Sequence, residues 1–184
     1  MTIEQQTRTA TWTVDKAHSN VDFRVKHLVV STVRGHFREF EATLELDEER
    51  PENSRVTATI DVASIDTNAE ERDNHLRSDD FFNADDYPKI TFESTRVNRT
   101  GERDFKLTGN LTIRDVTREV ELDGEFEGRI RDPWGGERVA FSASTEISRK
   151  EFNVRWNQAL EAGGMVVSDT ARINLYIEAV QQNQ

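Results

Sequence analysis

The chain has 184 residues, no cysteine and a formal charge of -11 at neutral pH, from 35 acidic and 24 basic side chains. Disulfides and thiolate chemistry are excluded, and the lack of an overall positive footprint argues against non-specific binding to nucleic acid or to an anionic bilayer. Hydrophobic residues make up only 35%, yet they recur in ordered patterns, so one domain with a sizeable core is expected over residues 11–180.

Residues 1–10, MTIEQQTRTA, are polar and are read as a flexible N-terminal segment. They carry no apolar stretch of the kind that drives secretion, and no apolar run reaches the roughly 18 residues of a membrane span. A cytoplasmic protein without stable membrane insertion is the expectation.

A period of two then dominates. Val21, Phe23, Val25 and His27 share one strand face, opposite Asp22, Arg24 and Lys26. Gly35 suggests a bend, after which Phe40, Ala42, Leu44 and Leu46 alternate with polar residues. Pro51 lies in an acidic turn, and Val56, Ala58, Ile60 and Val62 mark the next inward face. The alternation fails between Ser64 and Pro88, where Asn68 is a candidate cap for a short helix with Glu71 as its box partner, and Ser78 for a second turn. Ile90 and Phe92 resume the pattern, followed by Phe105, Leu107, Gly109, Leu111 and Ile113. The cleanest segment puts Val120, Leu122, Gly124, Phe126, Gly128 and Ile130 on one face, against Glu119 to Arg129 on the other. After a turn at DPWGG, Val139, Phe141, Ala143, Thr145 and Ile147 form a further face, and Ala171, Ile173, Leu175, Ile177 and Ala179 the last.

Eight or nine strands with short connections and no helical crossover imply an antiparallel sheet, either a sandwich or a barrel. Closure removes the edges of long strands, so an extended eight-stranded all-β barrel is preferred. Glycine and alanine on the inward faces either bend and pack the wall or leave room for an apolar ligand.

Three of the four histidines, His18, His27 and His36, are spaced nine residues apart. On one continuous strand an odd separation puts His18 and His27 on opposite faces, and no compact ligand cluster supports a metal site. There is no nucleophile elbow, no dinucleotide fingerprint and no RNA-binding aromatic motif. His75 lies in a charged insert ending in Phe81 and Phe82, and the insert reads either as a lid over a barrel mouth or as a simple anchor. Arg72, Arg77 and His75 are candidates for an anionic head group, or equally for surface ion pairs.

The order of segments resembles the YceI-like family, lipocalin-like polyisoprenoid-binding proteins. WTVDKAHSNVDFRVKH is similar to the family's opening, VRGHFREFEATLELD to its second segment, and IDVASIDTNAEERDNHLRSDDFFNADDYPKITFES to its most recognisable one. GNLTIRDVTREVELD, DPWGGERVAFSASTEISRKEFNVRWN and LEAGGMVVSDTARINLYIEA complete the set. Asn153 replaces the glycine of an R-x-x-F-G pattern, and asparagine tolerates the left-handed backbone such a turn needs.

The resemblance implies a lipocalin-like barrel with a short helical insert near residues 69–82, a homodimer, and an apolar channel for a polyprenyl phosphate or isoprenoid quinone. No catalytic residue and no metal or cofactor is expected, and the lipid or quinone is the one bound group implied. The channel would be lined by Val21, Phe23, Val25, His27, Phe40, Leu44, Ile60, Ile90, Phe92, Leu107, Leu111, Leu122, Phe126, Phe141, Ala143, Ile173 and Leu175. His18, His75, Arg77, Phe81 and Phe82 would stand at the mouth or lid. Two alternatives stay open: an enzyme on an apolar substrate using His18, His27 or His75, and a packed barrel that serves as an interaction module.

Overall fold

Eleven strand segments carry the alternation: β1 (Ala10–Val14), β2 (Asn20–His27), β3 (Ser31–Phe37), β4 (Phe40–Leu46), β5 (Arg55–Asp61), β6 (Ile65–Asp66), β7 (Lys89–Arg99), β8 (Asp104–Ile113), β9 (Val116–Arg131), β10 (Glu137–Ser148) and β11 (Val167–Gln181). The structure is a computed structural model and describes residues 9–182. The expected flexible segment lies almost wholly outside the described residues, and its last residue, Ala10, already belongs to β1.

Pairing reduces the eleven segments to eight walls. β2 pairs β3 and β1 pairs β4, while β4 pairs β5 and β3 pairs β6, so β1/β2, β3/β4 and β5/β6 are each one wall broken part-way. The remaining strands follow as an antiparallel meander, and Trp12, Thr13 and Val14 of β1 pair with Gln181, Val180 and Ala179 of β11 to close it. The first break is repaired by a side chain: the Ser19 hydroxyl donates to Glu178 O and accepts from Glu178 N, replacing a lost ladder bond.

Two bulges reset the inward face. On β9, Phe126 pairs with Phe141 but Gly128 with Ala140, leaving Glu127 as the extra residue. Beyond it the parity is inverted, so Ile130, expected inside, is 67% exposed, and Arg129, expected outside, borders the interior. On β7 the register shifts between Ser94 and Arg96, which turns Val97 inward.

Glycines receive rings. A Cβ on Gly35 would lie 2.3 Å from the Phe23 ring, one on Gly124 2.3 Å from Phe105, and one on Gly109 2.4 Å from Phe92. Phe23–Gly35 and Phe105–Gly124 are direct cross-strand partners. Each ring lies flat on a bare stretch of wall instead of projecting inward. Gly35 is thus a packing site inside β3 and not a bend.

The insert holds α1 (Glu70–Arg77), with acidic residues in its first turn and His75 and Arg77 in its last, as the helix dipole favours. Asn68 does not cap it. That residue has φ 63° and its N–H bonds Asp66, while Asp73 accepts from both the N–H and the hydroxyl of Thr67 to fix the start of the helix. Ser78 ends α1, and the expected second turn follows it, Phe81 and Asn83 N–H both donating to Ser78 O, although the Ser78 hydroxyl donates back to His75 O and does not cap that turn. Asn153 has φ 62° and ψ 17°, so the left-handed turn survives the loss of glycine there.

Gly109→Ala is expected to cost about 1–3 kcal/mol, because its methyl group would meet the Phe92 ring and the carbonyl of Glu93. Urea unfolding of Gly109→Ala with and without Phe92→Leu checks this: the second change should recover part of the loss.

Candidate ligand cavity

The inward faces enclose a cavity of about 1080 Å³ that runs the length of the barrel. All seventeen residues expected to line a channel border it, from Val21 on β2 to Leu175 on β11. Ala42 and Ala58 keep the wall thin beside them. The two β10 hydroxyl residues that border the cavity are already engaged: Thr145 donates to Glu121 O at 2.8 Å and Ser142 to Glu127 Oε1 at 2.6 Å. Valine, leucine, isoleucine and phenylalanine side chains dominate the lining. The volume excludes a barrel packed solid by its own side chains.

Polar groups gather at the two ends. α1 lies where β7 begins and β8 stops, and Arg114 of the β8–β9 turn fastens the insert there by donating to Phe81 O. At this end the cavity is bordered by Lys26, His27, Glu71, Arg72 and His75. The opposite end carries Asp47, Glu48, Arg99, Arg103 and Arg129. Arg129 bonds Glu48 and Glu137 and stands 5.4 Å above the ring of Trp12, which is fully buried. Such a cation over an indole adds to the packing at that end while keeping its charge paired.

The insert makes a roof. Phe81 is buried, and Phe82 meets Phe37 edge-on at 6.1 Å. His75, Phe81 and Trp156 form an aromatic trio with centroid separations of 4.9–5.3 Å, and His75 Nε2 lies 2.8 Å from Asp80 Oδ2. Trp156 escaped the sequence reading because it sits in a loop without periodicity. Its loop is pinned by Arg149, buried and donating to the carbonyls of Val154, Trp156, Val167 and Ser168. Burial pushes the Arg149 guanidinium below its ordinary pKa.

Two residues expected at the mouth lie elsewhere. Arg77 donates to Ala63 O, Ile65 O and Asn74 and faces away from the cavity. His18 falls in a one-turn helix on the outer wall, its Nδ1 3.0 Å from Asp15. His27 and His36 pair opposite Ser31 and Asp22, so five residues, about 17 Å, separate them along the hairpin. The three evenly spaced histidines do not converge. Two side chains at the mouth keep capacity for a ligand: the His27 ring has no partner among the described residues, and Arg72 bonds Thr67 but no carboxylate.

Asp15, His18 and Glu178 do cluster on the outer wall, but Arg138 occupies their centre, 2.8 Å from Asp15 and 2.6 Å from Glu178, and also holds Asp132. That cation compensates the cluster and bolts the β9–β10 turn to the barrel's closing seam.

The YceI-like domain family matches residues 12–179. The chain belongs to the YceI-like family. Protein YceI of Escherichia coli is 43% identical over 148 residues, 79% of this chain and 77% of that one. Among solved structures, Burkholderia cenocepacia BcnA superposes with a TM-score of 0.79 at 25% identity, covering 90% of this chain and 98% of its own. A polyisoprenoid binding domain from Saccharophagus degradans, implicated in plant cell wall breakdown, shares the fold at a TM-score of 0.66 and 14% identity, with 95% and 100% covered. The eight walls, the insert and the lipocalin-like closure are thus the YceI-like architecture.

Arg138 holds the Asp15 and Asp132 carboxyls below their ordinary 3.8, chiefly through its hydrogen bonds. A lowered carboxylate pKa stabilises the fold above 3.8 and loses that contribution as pH falls through the folded values. Arg138→Gln should therefore lower the melting temperature at neutral pH. The gap to the parent should narrow as the pH is taken below 3.8, measured by thermal melts across pH.

Proposed function

We propose that this YceI-like protein is a non-enzymatic carrier or store for a long isoprenoid lipid, a polyprenyl phosphate or an isoprenoid quinone, held along the barrel axis. The observation that carries the reading is the cavity of about 1080 Å³, with a lining dominated by apolar side chains. Pockets for compact ligands span roughly 300–1,000 Å³, and this one exceeds them while staying as narrow as an eight-walled barrel.

The energetics favour such a cargo. Burying about twenty methylene-sized groups at about 0.8 kcal/mol each gives roughly 16 kcal/mol, enough to offset an association cost of roughly 4–15 kcal/mol. No charge is needed at depth, because the burial of apolar surface supplies the binding energy. A polar head would rest at the insert end, where the His27 ring and the free edge of Arg72 border the opening. The Saccharophagus domain, described as binding polyisoprenoids, supports the reading through its shared fold. No constellation of acid, base and nucleophile accompanies the cavity among the described residues, and His75 is engaged with Asp80.

Native mass spectrometry after gentle purification should show extra mass that extracts into organic solvent as an isoprenoid. A ligand-free mass, with no uptake of added polyprenyl phosphate or quinone, would sink the proposal. Ala143→Trp sends an indole into the lumen and should reduce uptake at least tenfold while the melting temperature stays close to that of the parent. Undiminished uptake would place the cargo elsewhere.

A further inference from the structure

The hairpin between β2 and β3 ends in Leu28, Val29 and Val30, which are 40%, 68% and 86% exposed. Met165, 45% exposed, stands beside it, and Leu28 N donates to Val166 O at 2.8 Å to tie the two segments together. Four of the seven large apolar side chains that are exposed among the described residues thus form one patch. The patch lies at the insert end, and its neighbours His27, Val166 and Val167 border the cavity. Solvent-exposed turns ordinarily carry polar residues. This one sets Leu28 and Val29 at φ 51° and 65°, a left-handed conformation that a β-branched side chain resists. Asparagine or glycine would fit such a turn better, so aliphatic side chains are held outward against local preference.

Charge is also distributed against the average of the chain. Behind the tip, Arg24 pairs directly opposite Arg34, with Lys26 two residues nearer the tip. All three side chains are exposed, and none has an ion-pair partner among the described residues. Arg172, on the other side of Arg24, is occupied by Glu146. Like charges directly opposite one another are unfavourable in a sheet unless an anion lies over them. The formal -11 is an average over the whole chain and coexists with this local basic face.

We propose that the β2–β3 tip docks the barrel, mouth first, onto a bilayer containing anionic phospholipid. Leu28, Val29, Val30 and Met165 enter the headgroup–acyl boundary, a depth of about 5–10 Å, and Lys26, Arg24 and Arg34 then stand among the lipid phosphates. The choice of a bilayer over another partner rests on the function proposed above: a cargo that resides in membranes would meet the apolar tip beside the end of the cavity that His27, Val166 and Val167 border.

Flotation of the full chain with phosphatidylcholine vesicles, with and without phosphatidylglycerol, tests the docking. Binding should need the anionic lipid and weaken with salt. Val29→Asn with Val30→Asn, which suits the left-handed turn, should reduce binding at least tenfold, and Arg24→Gln with Arg34→Gln, neither of which borders the cavity, should weaken the preference for anionic lipid at least threefold. Trp134→Ser, an exposed aromatic in the β9–β10 turn at the opposite end, should bind as the parent does. Isoprenoid uptake from detergent should be unchanged in every variant, which shows that each is folded and separates failure of docking from failure of cargo binding. The docking proposal is overturned if the parent floats with neither vesicle, if the asparagine variant binds as well as the parent, or if the tip instead drives self-association that the asparagine variant loses.

Discussion

Closure of the sheet by β1 against β11 is the constraint on which everything else rests. Every wall then has two hydrogen-bonded neighbours somewhere along its length, so backbone polarity is satisfied without filling the interior. A sandwich of the same strands would have to interdigitate its inner faces to stay together. Here the lumen can remain hollow because the ladder, and not a jigsaw of side chains, holds the walls at their distance. Aromatic side chains also pack toward the two ends: Trp12 under Arg129 at one, Phe81, Phe82 and Trp156 at the other.

Closure is not achieved by regular strands alone. Three walls break part-way, and a serine hydroxyl, two one-turn helices and a few loop amides carry the hydrogen bonds across. The breaks let β2, β3 and the start of β11 run on past the insert, which is how the barrel gains a projecting hairpin beside its opening. Arg149 performs the corresponding task for the loop before β11, gathering four carbonyls onto one buried guanidinium. A cation there is tolerated because every donor direction it uses meets an oxygen.

Alternation made the barrel legible: the faces of β2, β4, β5, β8 and β10 can be read from period two alone, and with them the cavity lining. The bulge at Glu127 is where that reading stops. Strict parity sends Ile130 inward and Arg129 outward, whereas one unpaired residue reverses both; Gly128, at φ 150°, is the local sign of a bulge, but a strand glycine fits a bend or a packing site equally well. The helix start at Glu70 misleads for a related reason. Asn68 has the chemistry of a cap, but it sits one residue before the cap position, Ala69, in a left-handed conformation, and Asp73 anchors Thr67 from inside the helix instead. His18 and Arg77 were misplaced because polarity identifies a residue fit for a mouth without saying which way the wall faces. Trp156, Arg149 and Arg129 act through long-range contacts that no local pattern encodes.

The phenylalanines folded onto Gly35, Gly109 and Gly124 have a consequence for how such a barrel diversifies. The bore is set by the posture of a few rings and not by the backbone, which stays fixed by its ladder. Exchanging one ring–glycine pair for two aliphatic side chains would change the calibre at one level and leave strand number, register and closure untouched. A family built on this plan can refit its interior to cargoes of different girth one storey at a time.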